Sequence, residues 1–358
     1  MTILMFVAGL VLLVAGADIL VRGASKFAMS FGISPLVVGL TIVAFGTSAP
    51  EVAVSVGAAL QDKTDIAIGN VVGSNIFNVL FILGISALIT PLLVNAQIIR
   101  QEVPIMIGAS FLLLAVSLDG SLSIVDGLLL FIILIAYTAF LIYQSRKETG
   151  ITKQEYSELS NRPSWSDKKP VQILHIIAGL VLLVLGSQWL VSASVTFAKY
   201  FGVSDLVIGL TIVAAGTSMP EVATSIMAAI KGQRDIAVGN VIGSNTFNIL
   251  GCLGLSAIVS GNTGLAVSEN VINFDIWIMI AVALACLPIF AAGHQISRVN
   301  GIVFLFYYVA YTTYLILMSQ NYSMDLLNSI MLSFILPLTI IAVTVVFLRH
   351  KTTNDTVN

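Results

Sequence analysis

The sequence predicts an all-α polytopic membrane protein: two inverted five-helix repeats forming a ten-helix body, followed by one additional C-terminal transmembrane helix. Three observations predict it. Hydrophobic residues make up 58% of the 358-residue chain and charged residues 9%, with a mean hydropathy of +1.02, whereas an ordinary soluble domain is about 25% charged. Eleven stretches are apolar and approach the ~20 residues that cross a hydrocarbon core. The chain also repeats itself at a constant offset, Gly39 recurring as Gly209 and Gly9 as Gly179.

The predicted spans are 3–24, 35–60, 66–90, 103–118, 123–143, 172–198, 206–230, 236–260, 271–292, 299–318 and 326–348. The fourth is the shortest. One polar stretch interrupts the apolar pattern, Gln144 to Pro170, with Arg146, Lys147, Lys153, Arg162, Lys168 and Lys169. This divides the chain into a first repeat (1–143), a cytoplasmic linker (144–170), a second repeat (171–320), and the extra helix with its tail (321–358). The linker is too short for a domain with its own core. Met1-Thr-Ile-Leu-Met carries no basic residue, so the first span reads as retained rather than as a cleaved leader.

The repeat is continuous. Gly9-Leu-Val-Leu-Leu-Val-Ala-Gly16 matches Gly179-Leu-Val-Leu-Leu-Val-Leu-Gly186, and from Gly39 to Ala87 about 32 of 49 positions are identical to Gly209–Ala257. Five spans per half is an odd number, so the second half enters from the opposite side, an architecture common among secondary transporters. Loop charge agrees. With the N-terminus outside, 14 of the 16 lysines and arginines fall on the cytoplasmic side, and only Lys63 and Lys199 lie outside, as the positive-inside rule requires. The expected location is the cytoplasmic membrane of a bacterium or archaeon, with the C-terminus inside.

The residues that could do chemistry lie in the repeated segments. Gly39-Leu-Thr-Ile-Val-Ala-Phe-Gly-Thr-Ser-Ala-Pro-Glu51 recurs as Gly209-Leu-Thr-Ile-Val-Ala-Ala-Gly-Thr-Ser-Met-Pro-Glu221. A central acidic residue costs roughly 2.5–3.5 kcal/mol on insertion scales, and a kink made for packing alone does not need one. Thr47, Ser48 and Glu51 share one helix face by their spacing. Pro50 cannot donate to the Gly46 carbonyl and its ring crowds that turn, so a break is expected around Ala44–Ala49, tolerable at membrane depth only where protein or a wet cavity covers it. Thr217, Ser218, Pro220 and Glu221 repeat the arrangement. In the next span, Gly69-Asn-Val-Val-Gly-Ser-Asn-Ile-Phe-Asn78 recurs as Gly239-Asn-Val-Ile-Gly-Ser-Asn-Thr-Phe-Asn248. Ser74 with Asn78, and Ser244 with Asn248, stand one turn apart on one face. Asn70 lies a turn earlier, and Asn75 points away from that face, toward backbone. Interhelical hydrogen bonding is an equal alternative for Asn70, Asn75, Asn240 and Asn245.

Together these faces offer carboxylates, hydroxyls, amide oxygens and main-chain carbonyls. Such a set suits a hard cation: Ca²⁺ takes about 6–8 oxygens, Na⁺ also accepts neutral oxygens, and the sulfur and imidazole that soft metals want are missing. Two negative charges match one Ca²⁺, and competition of Ca²⁺ and Na⁺ for the same oxygens would itself give exchange. The remaining polar residues are read structurally. Asp18 pairs with Arg22 at i+4, Asp126 and Asp275 lie near span ends, and Asp65 and Asp235 cap helix N-termini. Cys252 and Cys286 read as small core residues. No nucleic-acid partner, cofactor, enzymatic nucleophile or metal–histidine site is indicated, and no protein partner can be inferred.

The two duplicated motifs closely resemble the alpha-repeats of the cation/Ca²⁺ exchanger superfamily, in particular the prokaryotic sodium/calcium exchangers. The resemblance covers the ten-span body. It implies that Glu51 and Glu221 are central Ca²⁺ ligands and that Thr47 and Thr217 add main-chain oxygens. It further implies that Ser48, Ser74, Ser218 and Ser244, with the Ala44 and Ala214 carbonyls, form flanking Na⁺ sites, and that Asn78 and Asn248 complete the centre. It also implies alternating access, with the first and sixth spans sliding against the other eight. Some archaeal relatives have aspartate at the position of Asn248, and potassium-dependent relatives have aspartates in this region. Asparagine in both halves here counts against K⁺ co-transport. The expected function is Na⁺/Ca²⁺ antiport, with H⁺/Ca²⁺ antiport through the same two glutamates as the nearest alternative and a Ca²⁺-permeable channel as a more distant one.

Overall fold

The computed structural model describes residues 2–31, 33–157, 169–201 and 214–319. The first half comprises α1 (Thr2–Phe31), α2 (Pro35–Thr47), α3 (Ala49–Ala59), α4 (Thr64–Ile89), α5 (Ile98–Ser117) and α6 (Ile124–Ser157). The second comprises α7 (Lys169–Tyr200), α8 (Ala214–Thr217), α9 (Met219–Ile230), α10 (Arg234–Val259), α11 (Val271–Ala291) and α12 (Arg298–Ser319). Eight described helices are long and apolar enough to cross a membrane, and α2 with α3 forms a ninth span bent by 46°. The eleventh predicted span, 326–348, and residues 206–213 of the seventh lie outside the described residues.

Several predicted boundaries move. The fourth span starts at Ile98, not 103, because a π-helical turn, Ile98–Glu102, leads into it. The fifth does not stop at 143: α6 continues to Ser157, so the first part of the polar linker is helix, since a run of charged residues does not by itself end one. Asp65 and Asp235 sit within the first turns of α4 and α10, while the cap positions are Lys63 and Gln233, with no side-chain cap bond. The two acids therefore complement the helix dipole rather than cap.

Both prolines break their helices as expected. Ser48, between α2 and α3, has φ −79° and ψ 7°, and Ser218, between α8 and α9, has φ −86° and ψ 9°. Both lie in the sparsely populated bridge region. A feature without a sequence signal is a π-helical turn directly after each motif asparagine, Asn78–Leu83 and Asn248–Leu253. Such turns are often found at functional sites.

The halves pack on each other through reciprocal contacts. α1 and α7 run antiparallel with their glycines back to back: a Cβ on Gly16 would lie 2.9 Å from the Gly179 carbonyl, and one on Gly179 would lie 2.7 Å from the Leu20 nitrogen. Small residues let the two backbones touch, which is how helices associate where lipid removes the hydrophobic drive. Phe6 and Phe197 meet edge to face at 5.9 Å near one end of the pair. β1 (Leu92–Leu93) pairs with β4 (Gln295–Ile296), and β2 (Ser121–Leu122) with β3 (Leu265–Ala266), all antiparallel. Each pair joins a loop of one half to a loop of the other. α4 and α10 form the inner layer, with most of α10 buried.

The glycine seam generates a prediction. Gly179→Val forces the α1 and α7 backbones apart and lowers stability by roughly 1–3 kcal/mol, as overpacking does. Gly108→Ala, where nothing lies within 4 Å of the added carbon, does not destabilise. Thermal unfolding of the purified proteins in detergent checks both, and an unchanged midpoint for Gly179→Val contradicts the seam.

Candidate functional site

The breaks at Ser48 and Ser218 bring the two broken spans into the middle of the bundle against α4 and α10. Glu51 lies in the first turn of α3 and Glu221 in the first turn of α9, and both are fully buried. Each carboxylate is held by the other half. Ser218 Oγ donates to Glu51 Oε1 at 2.8 Å, and Ser48 Oγ donates to Glu221 Oε1 at 2.9 Å. Ser74 Oγ lies 3.2 Å from Ser218 Oγ, whose one proton is directed at Glu51. The second oxygen of each carboxylate, Glu51 Oε2 and Glu221 Oε2, is buried without a hydrogen-bond partner.

The asparagines continue the crossing pattern. Asn78 Nδ2 donates to Asn245 Oδ1 at 3.0 Å, and Asn248 Nδ2 donates to Asn75 Oδ1 at 3.2 Å. Asn78 Oδ1 and Asn248 Oδ1 are, like the glutamate oxygens, buried and unpartnered. Buried polar atoms are almost always hydrogen-bonded. Here four exceptions fall on the two glutamates and two asparagines that the duplicated motifs single out, one of each from each half. All four are acceptors, so the donor chemistry suits a cation. Ser244 Oγ is likewise buried with no partner.

The threonine hydroxyls reach the asparagines of the opposite half. Thr47 Oγ1 lies 3.1 Å from Asn240 Oδ1 and 3.3 Å from the Ala44 carbonyl, which share its one proton, and Thr217 Oγ1 donates to Asn70 Oδ1 at 3.3 Å. Ala44 opens the last turn of α2 and Ala214 opens α8. Asn70 and Asn240 brace the breaks: Asn70 Nδ2 donates to the Glu51 carbonyl at 3.3 Å and to Ser55 Oγ at 2.9 Å, and Asn240 Nδ2 donates to Ser225 Oγ at 3.0 Å. Asn75 bonds a backbone carbonyl, as expected, and the interhelical alternative holds for both Asn75 and Asn245, although Asn75 does not point away from the cluster. They sit between α4 and α10, 1% and 3% exposed. The spacing fixes a face but not the helix opposite it. Cys252 is a free, buried thiol that donates to the Glu51 carbonyl at 3.3 Å, and Cys286 is also free and buried.

One buried acid escaped the sequence reading. Glu102 is fully buried and accepts from Gln97 at 2.9 Å, Gln101 at 2.8 Å and Tyr137 at 2.6 Å. Its polar neighbours made the segment look like loop. Asp275 plays a similar part in the second half, accepting from Tyr311 at 3.1 Å. Both acids have protein donors and lie outside the central cluster. Asp18 pairs with Arg22 at 2.8 Å, as expected, and also with Lys231 from the other half.

The halves differ at one break. Pro220 leaves the Gly216 carbonyl without its helical donor, and Ser187 Oγ on α7 donates to it at 2.6 Å. In the first half the equivalent of Ser187 is Ala17, which has no donor. The α1–α7 pair packs against α9, whereas α3 has no comparable packing against either helix. On the broken span of the first half, Val54 is 36% and Phe45 63% exposed.

Comparison with known proteins is consistent in sequence and in shape. The profile of the sodium/calcium exchanger protein family matches residues 1–143 and 171–317. A putative antiporter, CaxA, of Alkalimonas amylolytica is 38% identical over 310 residues, 85% of this chain and 95% of that protein. The sodium/calcium exchanger MaX1 of Methanosarcina acetivorans is 35% identical over 340 residues, 86% of this chain and 96% of that protein. The solved structure of the sodium-calcium exchanger NCX_Mj superposes with a TM-score of 0.75 at 29% identity, covering 88% of this chain and 98% of that one. A buried, duplicated, oxygen-only cluster in a membrane-spanning helical bundle, with this likeness over most of its length, places the chain in the sodium/calcium exchanger family of membrane transporters, not among enzymes.

Proposed function

We propose that the chain is a secondary-active antiporter that exchanges Na⁺ for Ca²⁺ by alternating access and exports Ca²⁺ on the inward Na⁺ gradient. The observation that carries this reading is the set of four buried, unpartnered oxygens on Glu51, Glu221, Asn78 and Asn248. Two carboxylates balance the charge of one Ca²⁺. With two amide oxygens and the Thr47 and Thr217 carbonyls they approach the 6–8 oxygens it takes. Ser48, Ser74, Ser218 and Ser244, with the Ala44 and Ala214 carbonyls, flank the centre as Na⁺ ligands. Both ions draw on the same glutamates, so they exclude each other. A cluster of charge −2 without a cation is costly to carry through a low-dielectric bundle, and that cost ties the return step to loading of the other ion.

Alternating access follows from the one-sided packing of α1 and α7. In the orientation that places most lysines and arginines inside the cell, the Asp18–Lys231 contact lies on the cytoplasmic side and the open flank of α3 faces out. The second reading puts protons in place of Na⁺ on the two Oε2 atoms, which accept no hydrogen bond from the protein. The hydroxyls on either side favour Na⁺, because a proton carrier does not need them. The named activities of CaxA and MaX1 support antiport and Na⁺ coupling respectively.

The test is ⁴⁵Ca²⁺ uptake into Na⁺-loaded proteoliposomes diluted into Na⁺-free buffer, with a parallel arm driven by a pH gradient. Uptake is expected only with the Na⁺ gradient. Uptake that follows the pH gradient and ignores Na⁺ overturns the coupling. Glu51→Gln and Glu221→Gln are each expected to abolish uptake without changing the elution profile on size exclusion, and near-normal exchange in either removes it from the site. Ser48→Ala and Ser218→Ala each remove a donor to a carboxylate and a flanking oxygen, an effect of about 1 kcal/mol. Half-maximal Na⁺ should rise several-fold, and by more than half-maximal Ca²⁺; equal shifts would argue against a Na⁺-specific role.

A further inference from the structure

We propose that Asn75 and Asn245 are positioning residues that keep the centre of the site oxygen-only. Each fixes, across the boundary between the two halves, the carboxamide of the other half's ligand asparagine. The inference rests on the reading above, in which Asn78 and Asn248 coordinate the cation.

An asparagine side chain has two ends of nearly the same shape, one an acceptor and one a double donor. Beside a cation only the oxygen attracts, and an inward NH₂ repels. Something must therefore choose the orientation, and here backbone carbonyls do. Asn75 Nδ2 donates to the Asn245 carbonyl at 3.2 Å. A carbonyl can only accept, so that end of Asn75 is its NH₂. Its Oδ1 is left to accept from Asn248 Nδ2 at 3.2 Å. The donor end of Asn248 is thereby held against Asn75, and its Oδ1 is the buried, unpartnered atom. The mirror chain is complete: Asn245 Nδ2 donates to the Asn75 carbonyl at 3.1 Å, Asn245 Oδ1 accepts from Asn78 Nδ2 at 3.0 Å, and Asn78 Oδ1 is left without a partner. Within each Gly-Ser-Asn-x-x-Asn, the first asparagine orients and the second coordinates, but each acts on the opposite half. The amide oxygens are presented only when α4 and α10 are docked, so these two helices form the fixed floor of the site.

The experiment is a double-mutant cycle read as half-maximal Ca²⁺ in proteoliposome exchange. Asn75→Leu keeps roughly the size of the side chain but removes its donor and its acceptor, freeing Asn248 to turn. Half-maximal Ca²⁺ should rise about tenfold or more, as when the group that orients a metal ligand is lost. In the Asn248→Asp background the ligand shows an oxygen whichever way it turns, so Asn75→Leu should there cost no more than about twofold. Asn245→Leu with and without Asn78→Asp repeats the cycle on the other half and serves if Asn75→Leu does not fold, judged by its unfolding midpoint. Equal losses in the two backgrounds overturn the proposal in favour of a packing role, and no loss in the native background overturns it outright. A normal Ca²⁺ dependence in Asn248→Ala is a separate failure: it removes the ligand assignment on which the inference stands.

Discussion

Two carboxylates lie where water does not solvate them, each with one oxygen bonded and one free, and most of the polar structure serves to hold them that way. A buried group without a partner costs free energy, and a charged one costs much more. A serine from the opposite half bonds one oxygen of each carboxylate, and on the proposed reading a cation takes the other. Dry surroundings make the interaction with an ion strong, and they also make the ion-free cluster hard to tolerate. On that reading affinity and coupling have a common origin in the low dielectric around Glu51 and Glu221.

The same economy explains why contacts cross between the halves. Ser48 holds Glu221 and Ser218 holds Glu51. Thr47 reaches Asn240 and Thr217 reaches Asn70. The glycine seam between α1 and α7 and the two short strand pairs follow the same rule. Neither half contains a finished cluster, because Glu51, Glu221, Asn78 and Asn248 are each hydrogen-bonded by a residue from the other. Reciprocal bonds of this kind need a local two-fold relation, which duplication of an odd number of spans supplies.

Much of this was legible in the chain. The prolines three residues after Thr47 and Thr217 announce the breaks, and the recurrence of Glu51 as Glu221 and Asn78 as Asn248 marks the residues that matter. What could not be read was depth and adjacency. Spacing shows which residues share a face, but not that Asn75 faces Asn245. Nor does it show that a π-helical turn follows Asn78, since such turns answer to tertiary packing rather than local propensity. Glu102 was hidden because a glutamate among glutamines resembles a loop until Tyr137, 35 positions away, arrives to bond it. The length of α6 was hidden because polarity ends a membrane span without ending a helix.

The duplication is imperfect in a way that matters. Ser187 donates to the carbonyl that Pro220 frees, and Ala17 cannot do the same for Pro50. Asp18 meets Lys231, while their counterparts, Gln188 and Gln61, carry no charge. A perfectly palindromic carrier would rest equally on both sides of the membrane. A hydrogen bond of about 0.5–1.5 kcal/mol net that held in only one arrangement would skew that balance roughly two- to tenfold. The apparent affinity seen from each side is the intrinsic affinity scaled by the fraction of molecules facing it. On the proposed reading, a single site of unchanged chemistry would then look tighter from the side that such a bond favours, and an asymmetry of sequence would become an asymmetry of apparent affinity.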